Sequence, residues 1–133
     1  MVKVGEHVTF DIIGTKKEYD PSFFENLVHK IAEKAKVTVL NIAKYKFEPQ
    51  GFTLVALLAE SHISFHTYPE KGIISFDFYT CGTISPVIAL DVLKKEIEHK
   101  RIIKKELSRD TISFYYDNTS TKGLQKNYLK KSF

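Results

Sequence analysis

Short segments in which apolar and polar residues alternate do most to limit how this chain can fold. In three of them every second residue is apolar: Val8, Phe10 and Ile12; Ile63 and Phe65; Ile74, Phe76 and Phe78. A period of two is typical of a strand that buries one face. Strand character extends over seven segments, at 6–16, 37–49, 52–59, 61–67, 73–81, 101–109 and 111–117. The chain is therefore predicted to form a sheet with one face covered by other elements.

Two segments between these strands have a helical period instead. Asp20 and Pro21 suit the N-cap and the first helical position, and the apolar residues that follow at helical spacing are Phe23, Phe24, Leu27, Val28, Ile31 and Ala35. Ser85 and Pro86 predict a second helix start. The predicted order, β-α-β-β-β-β-α-β-β, leaves few crossovers that could make parallel pairs. We therefore expect an α+β fold, a two-layer sandwich of an antiparallel sheet with two helices on one face.

The size and patterning of the chain also predict how it associates. Its 133 residues suit a single domain, 1–133. A domain of this size leaves much apolar surface exposed, and the face of the sheet away from the helices is partly apolar. We expect a second copy to cover that face, which gives a homodimer with four layers in the order α/β/β/α.

Composition argues against several classes of protein. No apolar run approaches the roughly 18 residues of a membrane span, and the start, "MVKVGEHVTF", lacks the regions of a secretory signal. A cytoplasmic location is therefore expected. The single cysteine, Cys81, excludes an intramolecular disulfide and a cysteine-based zinc site. The net charge of +4 and the basic tail permit nucleic-acid binding, but no motif of the RRM type accompanies them, so that function is not favoured.

Reactive side chains are concentrated in "LLAESHISFHTYPEKG", residues 57–72. A hairpin turn centred near Glu70 pairs positions whose numbers add up to about 140, which sets Cys81 beside Ala59 and next to the Glu60–Ser61 bond. His66 follows five residues after Ser61 and could act as an acid or a base. Serine, histidine and cysteine would then converge on one strand end. The same residues also suit a half-exposed histidine and a buried structural cysteine, and strand geometry leaves both interpretations open.

Other chemistries fit this segment poorly. No G-x-S-x-G elbow surrounds a serine, as an α/β-hydrolase requires, and no protease signature surrounds Cys81. His62 and His66 are four residues apart on a predicted strand, which separates them by about 13 Å. They would not share a metal ion, and no metal site is predicted. A glycine-rich phosphate loop is also missing from the sequence.

The motifs "ESHISFHTYPEKG" and "FDFYTCG" closely resemble the short prokaryotic type of S-adenosylmethionine decarboxylase, over roughly residues 47–86. Enzymes of that family depend on a covalent pyruvoyl group made from their own serine. The resemblance implies that this chain is a zymogen that cleaves itself at the Glu60–Ser61 bond. The products would be a β chain, 1–60, and an α chain, 61–133, with the pyruvoyl cofactor derived from Ser61.

The resemblance also implies roles for residues around that bond. His66 matches the histidine that moves protons during processing, and Thr53 stands where the family often has an assisting serine. Thr53 keeps the hydroxyl group. In the mature enzyme the pyruvoyl group would form a Schiff base with the substrate amine. Cys81 matches the residue that returns a proton after CO2 has left, a suitable role for a thiol that is protonated at neutral pH.

Three further positions match the part of the family site that binds the nucleoside. Phe47 would stack on the adenine, and Glu70 would bind the ribose hydroxyls. Tyr68 stands where many relatives have tryptophan, so an aromatic surface is kept. The implied reaction converts S-adenosylmethionine to its decarboxylated form, the aminopropyl donor for spermidine and other polyamines.

Two alternatives stay open within the same resemblance. Some members of the family decarboxylate arginine to agmatine, and Glu70 could bind either cationic substrate. A non-catalytic relative that regulates a partner is the other alternative, and such a protein would be expected to lose the serine or the proton donor. Ser61, His66 and Cys81 are all present, which favours an enzyme.

Overall fold

A computed structural model describes residues 3–81 and 83–110, together with the backbone of 114–116 and 124–126. The element order is β1 (Lys3–Ile13), α1 (Pro21–Ala35), β2 (Val39–Lys46), β3 (Phe52–Leu58), β4 (Ser61–Tyr68), β5 (Ile73–Thr80), α2 (Ala89–Glu96), β6 (Arg101–Asp110), β7 (Phe114–Tyr116) and β8 (Leu124–Lys126). The predicted order is confirmed as far as β6. Of the last predicted strand, 111–117, the positions 111–113 and 117 lie outside the described residues.

Six strands form one antiparallel sheet in the order β2-β3-β4-β5-β1-β6. The strands β7 and β8 pair separately. The expected α+β class and antiparallel sheet are confirmed. The N-terminal strand enters the sheet between β5 and β6, so β1 lies directly beside the hairpin made by β4 and β5.

One hydrophobic core lies between this sheet and both helices, and it contains apolar residues of α1, of α2 and of every second position in β1, β3, β4 and β5. The ring of Phe24 from α1 packs 5.5 Å from the ring of Phe52 and 5.2 Å from that of Phe65. Burying one such side chain stabilises the fold by about 1.5–3 kcal/mol. The alternation seen in the sequence therefore corresponds to the face that carries the helices.

The helix starts follow the expected capping chemistry. The Asp20 carboxylate accepts a hydrogen bond from the Phe23 amide at 3.0 Å, and Pro21 is the first helical residue. The hydrogen bonds from Ser22 and Phe23 lower the pKa of Asp20 below its ordinary value. At the second predicted start, a single 3-10 turn, Pro86–Ile88, precedes the α-helix. Because the residues of this turn are joined by i→i+3 hydrogen bonds and not by the i→i+4 bonds of an α-helix, the α-helix itself begins only at Ala89.

The other face of the sheet carries no helix among the described residues. Its margins are apolar and exposed: Val55 and Leu57 on β3 are 44% and 53% exposed, and Ile103 and Leu107 on β6 are 40% and 61% exposed. Polar residues occupy the centre. We call this surface the open face. No helix in the described part of the chain is long and apolar enough to cross a membrane.

Candidate active site

The Glu60–Ser61 peptide lies in the tight turn between β3 and β4. Leu58 pairs with Ser61, so Ala59 and Glu60 alone join the two strands. Glu60 has a φ of 62°, in the left-handed region, where a residue with a side chain carries a cost of about 1–3 kcal/mol. Lys36, at the end of α1, is the other described residue besides glycine with a positive φ. Backbone strain is therefore located at the bond predicted to be cleaved.

The Ser61 side chain is buried on the helix side of the sheet. The residue is 8% exposed, and it shares its side with Ile63 and Phe65 because strand residues alternate between faces. Among the described residues its Oγ is a buried oxygen without a hydrogen-bond partner. Leaving a buried hydroxyl unsatisfied costs about 1–3 kcal/mol, and such a group requires an explanation, for which a chemical role is one.

Cys81 follows the last residue of β5 and is half-buried. His62 pairs with Tyr79, and continuing that register by two residues sets Cys81 opposite Glu60. The predicted register set it opposite Ala59, one residue away, because the turn between β4 and β5 contains a 3-10 helix, Pro69–Lys71. Neighbouring strands lie about 4.8 Å apart, so this register would bring residue 81 beside the strained peptide.

A glycine that the motifs did not single out lets β1 pack beside this end of β5. Gly5 is buried, and a Cβ atom at that position would lie 2.5 Å from the Thr80 carbonyl oxygen. Any side chain would therefore push β1 away from the residue that precedes Cys81. Gly5 directly precedes the predicted strand 6–16, and a glycine beside a strand was the available signal for such a close approach.

His66 and Thr53 form a pair, but they lie away from Ser61. The two residues are direct cross-strand neighbours, and His66 Nδ1 lies 3.0 Å from Thr53 Oγ1. Ser61 is five residues earlier on β4, a distance of about 16 Å along a strand. Because five is an odd number, His66 lies on the open face and Ser61 on the helix side. Within the described chain, the structure does not bring the expected histidine to the serine.

The residues expected to bind the nucleoside gather around His66. A cavity of about 210 Å³ is lined by Phe47, Thr53, His66, Tyr68 and Glu70, among others. Phe47 is 47% and Tyr68 is 39% exposed. The volume is below the roughly 300–1,000 Å³ that is usual for a small-molecule site. The cavity is therefore an open half-pocket that needs another wall.

A polar cluster that sequence spacing did not predict occupies the centre of the open face. Asp77 Oδ2 lies 2.6 Å from His7 Nε2 and 3.3 Å from His62 Nε2. Ser64 donates a hydrogen bond to Asp77 Oδ1. Partial burial raises the pKa of Asp77, but the hydrogen bonds from Ser64 and His7 and the charge of His62 lower it by more, so the pKa lies below its ordinary value.

Comparison with known proteins places this geometry in a family context. Residues 6–110 match the family model described as S-adenosylmethionine decarboxylase. The chain is 40% identical over 108 residues to the S-adenosylmethionine decarboxylase proenzyme of Brevibacillus brevis, over 79% of this chain and 81% of that protein. It is 38% identical over 111 residues to the proenzyme of a Prochlorococcus marinus strain, over 81% of this chain and 89% of that protein. The crystal structure of the adenosylmethionine decarboxylase from Aquifex aeolicus superimposes with a TM-score of 0.74 at 33% identity, covering 84% of this chain and 94% of that one.

Proposed function

The chain belongs to the S-adenosylmethionine decarboxylase family, and we propose that Ser61 is the residue from which it makes its pyruvoyl group. It is a proenzyme, and the mature form is a carboxy-lyase that acts in polyamine biosynthesis. One observation carries the assignment to Ser61. The strained backbone of Glu60 and the unpartnered Oγ of Ser61 meet at a single peptide bond.

Cleavage at this bond uses only groups of the protein and water. The Ser61 hydroxyl attacks the Glu60 carbonyl carbon, and the amide is replaced by an ester while the Ser61 nitrogen becomes an amine. Loss of the Cα proton of residue 61 then expels the Glu60 carboxylate and releases 1–60. Water then displaces the nitrogen of residue 61, which leaves as ammonia, and a ketone remains at the start of 61–133. Strain at Glu60 favours the first step because the reaction relieves it, and a base must accept the protons.

We place that base in a second copy of the chain. Within one chain His66 is about 16 Å from Ser61 along β4 and on the opposite face. If two open faces pack together about a two-fold axis that crosses β4 at right angles, the Ser61 end of one β4 meets the Tyr68 end of the other. Glu60 is exposed, so the partner's His66 could approach the bond from the end of the sheet. The apolar margins of the open face would then be buried.

The same arrangement would complete the substrate pocket. The half-pocket of about 210 Å³ would gain its missing wall from the partner. Phe47 and Tyr68 offer aromatic rings on which adenine can stack, and the Glu70 carboxylate can accept hydrogen bonds from the ribose hydroxyls. The arginine guanidinium can stack on such rings, but arginine has neither the larger adenine surface nor ribose hydroxyls for Glu70. The pocket therefore favours S-adenosylmethionine over arginine as the substrate.

Cys81 serves the decarboxylation step in this proposal. A pyruvoyl group supplies an electron-withdrawing carbonyl when CO2 leaves the substrate. The carbon that loses CO2 must then receive a proton. Cys81 is half-buried, and the register of β4 and β5, continued by two residues, sets it opposite Glu60, so its thiol would have a proton available beside residue 61.

The test is to co-express a Ser61→Ala chain with a His66→Ala chain and measure denatured masses. Each variant alone should stay whole. In mixed dimers the His66→Ala chain keeps Ser61 and meets the intact His66 of its partner, so that chain alone should be cleaved into 1–60 and 61–133. A His66→Ala chain that stays whole in the mixture would rule out a base from the partner. Cleavage of His66→Ala alone would show that His66 is not the base.

A further inference from the structure

The polar cluster of the open face draws one residue from each of three neighbouring strands. Tyr79 of β5 pairs with His7 of β1 on one side and with His62 of β4 on the other. Asp77 lies two residues before Tyr79, so its side chain points to the same face. The two imidazoles therefore flank β5, and the carboxylate lies between them.

The atoms of this cluster form a donor set suited to a transition metal. Two imidazole nitrogens and a carboxylate oxygen are common ligands of Zn²⁺, and a three-ligand site leaves one coordination position open. His7, His62 and Asp77 each offer one ligand atom, and these three atoms lie within 4.8 Å of one another. Ligands around a tetrahedral Zn²⁺ lie about 3.3 Å apart. The pair formed by His62 and Asp77 already has a separation of 3.3 Å, and the pair formed by His7 and Asp77, at 2.6 Å, would widen slightly.

Neighbouring groups orient the three donors. Ser64 donates to Asp77 Oδ1, so the other carboxylate oxygen faces both histidines. The His62 ring stacks on Tyr79 with centroids 5.8 Å apart, and the His7 ring meets Tyr79 edge-on at 5.9 Å. A hydrogen bond to a metal-binding carboxylate, such as that from Ser64 to Asp77, raises metal affinity. In a single chain the histidine and aspartate side chains are 22–42% exposed, so an ion and a water ligand can reach them before the open face is covered.

We propose that His7, His62 and Asp77 bind one divalent transition-metal ion of the Zn²⁺ class per chain. His7 belongs to 1–60, whereas His62 and Asp77 belong to 61–133. The ion therefore links the two products of cleavage, a consequence that rests on the proposed function. It also holds His62, the neighbour of residue 61, after β4 has lost its covalent connection to β3.

The test of the site uses Co²⁺ as the probe because its visible absorption reports nitrogen and oxygen ligation. Untagged protein is refolded with Co²⁺, so that the ion can enter before the open face is covered. The protein should bind one Co²⁺ per chain, and Zn²⁺ should displace it. Losing an outer hydrogen bond weakens metal sites about 10–100-fold, so losing a ligand should weaken binding by more than about 100-fold. His7→Asn, His62→Asn and Asp77→Asn should each do so.

Matched variants separate this site from other ligands and from misfolding. Ser64→Ala keeps all three ligands and should weaken binding about tenfold. His29→Asn, on the exposed side of α1, and Cys81→Ser should bind as the parent does. Far-UV circular dichroism verifies that each variant is folded. Unchanged Co²⁺ affinity in folded His7→Asn and Asp77→Asn would overturn the proposal, as would loss of binding in either control.

The linking role has its own readout. In the cleaved protein Zn²⁺ should raise the urea concentration at which 1–60 separates from 61–133, and it should not do so in His7→Asn. The uncleaved Ser61→Ala chain should bind Co²⁺ as tightly as the cleaved protein. A chain that binds Co²⁺ but never cleaves would keep the metal site and refute the proposed processing. A cleaved protein that binds no Co²⁺ would support the proposed processing and refute the metal site.

Discussion

The two ends of β4 differ in almost every property that bears on chemistry. At the Ser61 end the side chain is buried, the hydroxyl lacks a partner and the neighbouring residue is strained. At the Tyr68 end the aromatic rings are exposed, and His66 already has a hydrogen-bonding partner in Thr53. At one end, no base among the described residues is hydrogen-bonded to the reactive hydroxyl, and the other end holds a candidate base and a binding surface without a reactive group.

This difference has a simple geometric origin. A strand of eight residues is about 26 Å long, and its successive side chains point to opposite faces. Residues at its two ends cannot act on one another within a chain. If both are needed for one reaction, a second copy has to bring them together, and the exposed apolar margins of the open face are suited to such a contact.

Replacing Cys81 with alanine should have the largest effect, because it should nearly stop decarboxylation and leave self-cleavage intact. The thiol is expected to return a proton to the decarboxylated carbon, so decarboxylation should fall by about 100-fold or more. Self-cleavage should continue, because the thiol has no part in the attack on Glu60. Denatured mass measures cleavage, and release of CO2 from S-adenosylmethionine measures the reaction.

Thr83→Ala is the control for that substitution. Thr83 Oγ1 lies 3.6 Å from Cys81 Sγ, so this variant alters the surroundings of the thiol without removing it. We expect both steps to stay within a few-fold of the parent rate. If Cys81→Ala stopped cleavage as well, the thiol would have to act in both steps.

Glu60→Gly should weaken the contrast between the two ends, because glycine adopts the left-handed conformation without strain. Relief of about 1.4 kcal/mol corresponds to a roughly tenfold lower rate, so we expect cleavage to slow about tenfold. Lys36→Gly is a matched control, since Lys36 has a similar φ of 58° at the end of α1. It should relieve comparable strain and leave the cleavage rate unchanged, as followed by gel densitometry over time. Equal slowing in both variants would argue against strain at the cleaved bond.

How much of the contrast between the two ends of β4 can be predicted from sequence depends on how many positions separate the residues along the chain. Alternation and hairpin pairing are local, so the pairing of β4 with β5 was predicted to within one residue. The same alternation already assigns residues 61 and 66 to opposite faces, because five positions separate them. The expected convergence of Ser61, His66 and Cys81 did not take this odd spacing into account.

Other features have no local signal. The contact between His7 and Asp77 joins residues 70 positions apart, and it exists because β1 enters the sheet beside β5. Amphipathic patterns do not specify that neighbour, so the cluster of the open face could not be predicted. The left-handed conformation of Glu60 is likewise invisible in the sequence, since glycine or asparagine is the usual signal for it.

Phe47→Ala tests the Tyr68 end by itself. Stacking of a base on an aromatic ring contributes about 1–3 kcal/mol, so KM for S-adenosylmethionine should rise about tenfold. The kcat value should change little, because the ring is expected to contact the adenine and not the reacting groups. Tyr45→Ala is the control: its ring packs 4.9 Å from Phe47 but is not among the residues that line the cavity. An equal effect of the two substitutions on KM would place the adenine elsewhere.

The smallest effect is expected at Thr53, whose hydroxyl lies 3.0 Å from His66 Nδ1. Thr53→Val keeps the shape of the side chain and removes this contact, and a hydrogen bond of this kind contributes about 1 kcal/mol. We expect cleavage to slow about fivefold, while Thr53→Ser, which keeps the hydroxyl, should cleave at the parent rate. In mixed dimers with His66→Ala chains, the His66→Ala chain should be cleaved about fivefold more slowly than it is beside a parent chain, and the Thr53→Val chain should stay whole because its partner lacks the histidine. Cleavage of the Thr53→Val chain in these dimers, with the His66→Ala chain left whole, would mean that both ends of β4 act within one chain.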